Sequence, residues 1–147
     1  MTAGRLVALV RDGELDAVTG SLNLLSLAGG HRLRLILNAL IDASASMLIS
    51  KASTMGVRGT FTADIRQNDE SMIDIDRVDP PVRATIRALL AAVNGCPQDA
   101  AEQVTLAVAG GQRATVQVIT LAIRWTINAM DCVTDDARPD WLDRKAS

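Results

Sequence analysis

Apolar residues recur at intervals of three and four along most of the chain, a spacing that places them on one face of an α-helix. One row of this kind consists of Leu15, Val18, Leu22 and Leu25. Gly29-Gly30 ends that row, and a longer amphipathic stretch follows from about His31 to Lys51. Together with a short apolar segment at residues 5–11, these patterns predict three helices in the first part of the chain.

A second group of three helices is predicted after residue 79. Asp79 followed by two prolines is a typical helix start, because proline is preorganised for the first helical turn. This helix runs to Asn94-Gly95, the next one ends at Gly110-Gly111, and a last long helix covers about Gln112 to Cys132. We therefore expect a mainly α protein with about six helices.

The pattern changes between the two groups of helices. Apolar and polar residues alternate from Phe61 to Ile65 and again from Ile73 to Asp76, with a polar turn at residues 67–70 between them. Alternation with a period of two is typical of β-strands, so the sequence predicts a β-hairpin inserted between the helical parts. An isolated hairpin is marginally stable in water, and we expect it to pack on helices or on a partner's edge.

These elements predict a single helical domain over residues 1–134. It comprises a first helical half (5–53), a β-hairpin arm (57–78) and a second helical half (80–132), followed by a charged C-terminal tail (135–147). The two halves are similar, since each has a helix, an Asp-Gly or Asn-Gly break, an apolar helix, an Ala-Gly-Gly turn and a long helix. The spacing of the matching anchors differs by two residues, and both a duplication and two unrelated helical hairpins fit this pattern.

Composition narrows the class of protein. The 147 residues are 48% hydrophobic, enough for one core without a metal or disulfide. Only 2% are aromatic, which disfavours modules that stack single-stranded nucleic acid on aromatic side chains. A net charge of −2 provides no cationic field for nucleic acid or an anionic membrane. With no signal peptide and no uninterrupted apolar run of about 18 residues, we expect a cytoplasmic protein with no membrane span.

Two rows of polar residues interrupt the apolar long helices. Arg34, Asn38 and Asp42 step by four on one of them. A similar row on the last helix consists of Gln117, Thr120, Arg124, Asn128 and Asp131, of which Arg124 and Asn128 are the candidate ligand-binding residues. If the rows face solvent, they reflect amphipathicity alone. If they face each other, they form a buried network that lines a small polar pocket, where Arg34 or Arg124 binds an anionic group of a ligand.

No constellation for catalysis or for a cofactor is present. His31, the only histidine, lies at a helix start with no second His and no Cys at ligand spacing. Cys96 precedes a helix, where a thiolate is stabilised, but no spacing pairs it with His31. The carboxylates between residues 69 and 79 lack the spacing of an EF-hand. We therefore predict no metal and no cofactor, and the pattern argues against an enzyme.

Residues 24–40, LLSLAGGHRLRLILNAL, resemble the opening helix of small winged-helix repressors of the ArsR type. The matching residues are Arg32, Leu33, Leu35, Ile36, Leu37 and Leu40. The resemblance implies a DNA-binding regulator in which the hairpin would serve as the wing. The acidic residues of that hairpin would repel phosphate, and only one Lys precedes it as a candidate for base contacts.

The leading functional hypothesis is a non-enzymatic cytoplasmic interaction protein, a homodimeric adaptor or regulator that binds a protein partner. This hypothesis is based on the two long predicted helices, at about Leu33–Leu48 and Val116–Met130. Their apolar faces are wider than one antiparallel partner helix covers. One alternative is a helical domain that binds a small anionic metabolite. The other is a winged-helix-like DNA-binding regulator.

Overall fold

The computed structural model describes residues 2–27, 29–57, 59, 61, 72 and 74–142. These described residues form six α-helices: α1 (Ala3–Arg11), α2 (Leu15–Leu27), α3 (Gly30–Thr54), α4 (Pro80–Val93), α5 (Pro97–Val108) and α6 (Gln112–Cys132). They also form three short 3-10 helices at Ile75–Arg77, Asp135–Ala137 and Asp140–Leu142. A mainly helical fold with six helices agrees with the sequence prediction.

The predicted β-hairpin is wrong. None of the described residues belongs to a β-strand, and Ile75–Arg77, within the predicted second strand, forms a 3-10 helix. The Asp74 carboxylate begins this helix by accepting a hydrogen bond of 3.0 Å from the Asp76 N–H. Such a local bond favours a turn over the extended backbone that alternation indicates. Positions 58, 60, 62–71 and 73 of the predicted hairpin arm lie outside the described residues.

The long helices α3 and α6 pack against each other and supply most of the buried side chains. Leu37, Leu40 and Met47 of α3 are completely buried, as are Ile119 and Ile123 of α6. They belong to one continuous core cluster that also takes in side chains of the other four helices. Full burial of an aliphatic side chain of this size stabilises a fold by roughly 1.5–3 kcal/mol, so this central pair contributes a large share of the folding energy.

A polar pair lies within this apolar centre, where α3 meets α6. The hydroxyl oxygens of Ser44 and Thr126 are 3.0 Å apart, and both residues are buried. The Thr126 hydroxyl also lies 2.8 Å from the Ala122 carbonyl oxygen and 3.4 Å from that of Leu40. Thr126 therefore has several possible acceptors, whereas Ser44 depends on Thr126 as its hydrogen-bond partner.

The turns that follow α1 and α4 have the same geometry. Gly13 and Gly95 have φ angles of 78° and 79°, in the left-handed region that other residues rarely adopt. In both turns the N–H of the next residue donates to the carbonyl five residues earlier, at 2.9 and 2.8 Å. This arrangement is a Schellman motif, which satisfies carbonyl groups at the helix end.

A constant interval of 82 residues relates these turns and the central pair. Gly13 and Gly95 are separated by this interval, as are Ser44 and Thr126. The glycines that precede α3 and α6 are Gly29 (φ 100°) and Gly111 (φ 96°), again 82 residues apart. The sequence pattern had matched Gly29-Gly30 with Gly110-Gly111, which is one residue fewer than the structural interval. The structural register needs no gap.

The packing of the helices follows the same relation. α1 contacts α6 as α4 contacts α3, and α2 contacts α6 as α5 contacts α3. Each half therefore packs its two shorter helices against the long helix of the other half. Ser44 touches Thr126, its own equivalent, so this pair lies at the approximate twofold axis that relates the two three-helix units.

The C-terminal segment of the described chain packs back on the helices. Leu142 is buried, and the Arg138 guanidinium donates to the Met130 carbonyl near the end of α6 at 2.9 and 3.2 Å. A Cβ atom added at Gly4 of α1 would lie 2.5 Å from the Trp141 carbonyl oxygen. Gly4 therefore permits the close approach of this segment to α1.

We expect Gly4→Ala to destabilise the protein by about 1–2 kcal/mol, because overpacking against the Trp141 backbone outweighs the better helix propensity of alanine. Gly20→Ala is the matched control, since Gly20 lies in α2 with no atom within 4 Å of an added Cβ. That variant should gain about 0.5–1 kcal/mol. Urea unfolding followed by circular dichroism measures both. Equal stability of the two variants would contradict the packing of Trp141 on α1.

A double-mutant cycle tests the central polar pair. Thr126→Val should cost about 1–3 kcal/mol, because it leaves the buried Ser44 hydroxyl without its partner. Ser44→Ala should cost less, about 0.5–1.5 kcal/mol, because Thr126 keeps its bond to the Ala122 carbonyl. The double variant should cost less than the sum of the two, as measured by urea unfolding. Strict additivity would show that the two hydroxyls do not interact.

Candidate functional site

The first predicted polar row lies on α3. Arg34 and Asn38 are half-buried, and Asp42 is exposed. One N–H of the Arg34 guanidinium donates to Nδ1 of His31 at 2.9 Å, which makes that ring nitrogen an acceptor. Although Asp42 is exposed, nearby protein atoms displace part of the water around its carboxylate, and this desolvation raises the pKa of Asp42 above its usual range.

The second predicted row lies on the solvent side of α6. Arg124 and Asn128 are both exposed, and neither makes a hydrogen bond or ion pair with another described residue. No such bond joins this row to Arg34, Asn38 or Asp42 within the described chain. The sides of α3 and α6 that meet carry Ser44 and Thr126 instead. The structure therefore places the two rows apart rather than around a common pocket.

Polar groups in the described interior already have partners. The buried polar residues are Ser44, Thr85, Thr115 and Thr126. The Thr85 hydroxyl donates to the Pro81 carbonyl at 2.8 Å, and that of Thr115 donates to the Gly111 carbonyl at 2.7 Å. Among the described residues, no buried side-chain nitrogen or oxygen lacks a partner. Chemistry that recognises another molecule is thus confined to the surface of this part of the chain.

A cleft of about 380 Å³ lies between α2 and the first turns of α6. Its lining residues are Thr19, Asn23, Gln112, Arg113, Val116 and Gln117. Gln112 donates from Nε2 to the Asn23 Oδ1 atom at 3.3 Å, which joins the two walls. Arg113 is exposed and has no hydrogen bond or ion pair to any described residue. The cleft is therefore open to solvent, and its surface is mostly apolar with polar amide groups in both walls. It is also lined by Arg113, which has no protein partner in the described structure.

Charge in this cleft favours an anion. The first turn of α6 contains no acidic residue, and Gly111 provides no side chain to cap the helix. The free N–H groups of a helix start carry partial positive charge, which adds to the charge of Arg113. The amides of Asn23, Gln112 and Gln117 offer further donors around the opening.

Sequence reasoning had not selected this cleft. It had placed its candidate ligand-binding residues at Arg34 and Arg124. Thr19 and Asn23 step by four on the polar side of α2, which was the available signal. That signal alone does not show that these residues lie beside Gln112, 89 positions further along the chain.

Residues suited to metal or covalent chemistry are scattered. No group of three or more His, Cys, Asp or Glu side chains close enough for a metal ion is found among the described residues. Of the acidic cluster, Asp76 pairs with Arg87 at 3.4 Å, while Asp69 and Glu70 lie outside the described residues. Cys96 and Cys132 are both free and exposed.

The helix α3 has the length and hydropathy of a membrane-spanning segment. It is the one such helix among the described residues, and half of its apolar window is buried inside the fold. The core helix of a compact domain passes the same test, so this is weak evidence for a membrane.

Comparisons with known proteins found no match. No protein-family model, no curated protein and no solved structure matches it. The cleft and the exposed helix faces therefore have to be interpreted from their own geometry and chemistry.

Proposed function

We propose that this protein is a non-enzymatic helical interaction protein, a homodimeric adaptor or regulator, and that its binding surface lies in the first half of the chain. The distribution of exposed apolar side chains carries this proposal. Nine large apolar residues of the described chain are exposed: Leu15, Leu24, Leu27, Leu35, Ile49, Met55, Val57, Met72 and Leu106. Of these, Leu106 alone comes after residue 74.

The two three-helix units are related by the same interval of 82 residues, although α4 and α5 pack together much more closely than α1 and α2 do. The position on α6 equivalent to the exposed Leu35 is the polar residue Gln117, so the exposed apolar character is not shared by the two halves. The concentration of exposed aliphatic side chains on α2, α3 and the segment that follows them is typical of a surface that is covered by a partner. Burial of such a surface contributes about 25 cal/mol per Å², and twofold dimers are the commonest assembly.

The cellular compartment belongs to the same proposal. Two exposed free thiols, Cys96 and Cys132, suit a reducing compartment such as the cytoplasm. Interaction rather than catalysis is supported by the scattered positions of His31 and the two cysteines within the described chain.

The self-association is tested by sedimentation equilibrium at micromolar concentration. We expect a species of twice the 15.6 kDa chain mass, because the exposed aliphatic surface is removed from water in a dimer. A single species with the mass of one chain over the whole concentration range would contradict the proposal.

The cleft between α2 and α6 supports a second candidate function, the binding of a small anionic metabolite. Its support is the convergence of Arg113 with the amides of Asn23, Gln112 and Gln117 around one opening. This site differs from the sequence hypothesis, in which Arg34 and Arg124 were to hold the anion.

Thermal unfolding in millimolar inorganic phosphate or citrate tests this second function. The anion should raise the melting temperature of the natural protein and of Arg124→Ala, because a ligand that binds only the folded state stabilises it. It should not raise that of Arg113→Ala, which lacks the guanidinium of the cleft. Arg124 is the matched control, since it is an exposed arginine of the same helix. A shift that survives in Arg113→Ala but disappears in Arg124→Ala would place the anion on α6 outside the cleft.

The structure provides no support for the winged-helix hypothesis. It needed a hairpin as the wing, and none of the described residues forms a strand. The segment 24–40 that carried the resemblance is divided between α2 and α3, and its apolar residues Leu33, Ile36 and Leu37 are buried in the core.

A further inference from the structure

One surface of α3 faces away from the core and combines apolar with charged groups. We call it the outer face, and it consists of Arg34, Leu35, Asn38, Asp42 and Ile49. Leu35 and Ile49 are 52% and 43% exposed, respectively. Leu35, Asp42 and Ile49 follow one another at seven-residue intervals, so they lie on one line along the helix. The outer face therefore has the spacing of a helix–helix seam without a partner helix in the described structure.

The equivalent surface of α6 has a different character. Positions 82 residues after Leu35 and Ile49 are Gln117 and Asp131, and both are exposed. The interior sides of the two helices, in contrast, keep the same pattern, since Leu37 and Ile119 are both completely buried. Asp131 pairs with Arg11 of α1 at 3.7 Å, so a neighbouring helix explains the polar residue at that position. Gln117 makes no such contact with a described residue, so packing within the chain does not explain why its equivalent on α3 is the exposed Leu35.

The charges of the outer face are complementary to those of a second copy of itself. Arg34 and Asp42 lie four residues before and four residues after Asn38. Within one helix they are about 12 Å apart along the axis, too far to pair. Asp42 makes no hydrogen bond or ion pair with a described residue, and the one such bond of Arg34 goes to His31. A twofold axis through Asn38 would bring each Arg34 to the Asp42 of the other copy.

We propose that a second copy of this chain covers the outer face of α3, with the two helices antiparallel about a twofold axis near Asn38. Arg34 of each copy then pairs with Asp42 of the other, and Leu35, about 4.5 Å along the helix from the axis, is removed from water. This inference rests on the self-association proposed above and names the surface that produces it. A closed twofold contact of this kind uses the same patch on both copies.

Electrostatics support the second copy over other occupants of this surface. Neighbouring protein atoms already remove part of the water around the Asp42 carboxylate, and this desolvation raises its pKa. A guanidinium brought beside the carboxylate offsets that cost. A lipid bilayer would have to accept Asp42 at the middle of the face as well as Arg34 at its end, and ionised groups are costly in hydrocarbon. A second copy satisfies both charges and covers Leu35.

Charge reversal in the full-length protein tests the geometry. Sedimentation velocity should show that Arg34→Asp and Asp42→Arg each weaken the dimer by about tenfold or more, because each places like charges opposite one another. The double variant R34D/D42R should restore the affinity of the natural protein, because it exchanges the charges across the axis. Arg124→Asp is the control, since it changes an exposed arginine of α6 and should leave the dimer intact.

A second pair of variants tests the apolar part of the surface. Leu35→Glu should convert the dimer to monomer, whereas Gln117→Glu, at the equivalent position of α6, should have no effect. Circular dichroism establishes that each variant is folded. Flotation with phosphatidylcholine vesicles tests a bilayer as the occupant, and binding of the natural protein that Leu35→Glu abolishes would overturn the proposal.

The outcomes separate the two proposals. A monomeric natural protein would overturn both the self-association and the inference on α3. A dimer that tolerates every α3 variant would overturn this inference alone and place the interface elsewhere. A dimer weakened by both single reversals but not restored by the double reversal would overturn the twofold arrangement about Asn38. Restoration by the double variant supports it, because a merely structural role of either residue gives no rescue.

Discussion

The contact between α3 and α6 at Ser44 and Thr126 is the constraint on which the rest of this structure depends. Both hydroxyls are buried, so the two helices have to meet at a distance and in a register that allow their hydrogen bond. The surrounding side chains on both helices are aliphatic and completely buried. Once this pair is fixed, each helix offers one flank to α1 and α2 and the other to α4 and α5. The whole domain is thus built outward from one crossing.

This construction explains why the interior of the described chain offers no site. An approximate twofold axis at the Ser44–Thr126 pair lets each half fill the space left by the other, and every buried side-chain nitrogen or oxygen of the described chain has a hydrogen-bond partner. The constant interval of 82 residues, without a gap, favours an internal duplication over two unrelated helical hairpins, because independent hairpins have no reason to share turn geometry, burial pattern and register. What differs between the halves is their surface, and function has to be sought in that difference.

Sequence patterns predicted the parts of this fold that depend on local periodicity. The six helices follow from the spacing of apolar residues, and the breaks at Gly13 and Gly95 follow from the left-handed backbone that glycine tolerates. The hairpin prediction was wrong because alternation over a few residues does not distinguish a strand from a turn held by a local bond such as that of Asp74. The orientation of the two polar rows and the cleft beside Arg113 were not predictable, because both depend on which helices become neighbours.

The position of α3 in the fold accounts for the distribution of apolar residues around this helix. A helix at the surface of a domain needs one apolar side, whereas a helix covered on two sides is apolar almost all round. α3 packs its inner side on α6, yet Leu35 and Ile49 extend its apolar character to the side that the described chain leaves open. This is why it alone among the described helices has the hydropathy of a membrane span. Arg34 and Asp42 distinguish a protein partner from a membrane as the cover of this side of α3. Two charges placed symmetrically about Asn38 are costly in lipid but complementary to a second copy of the same helix.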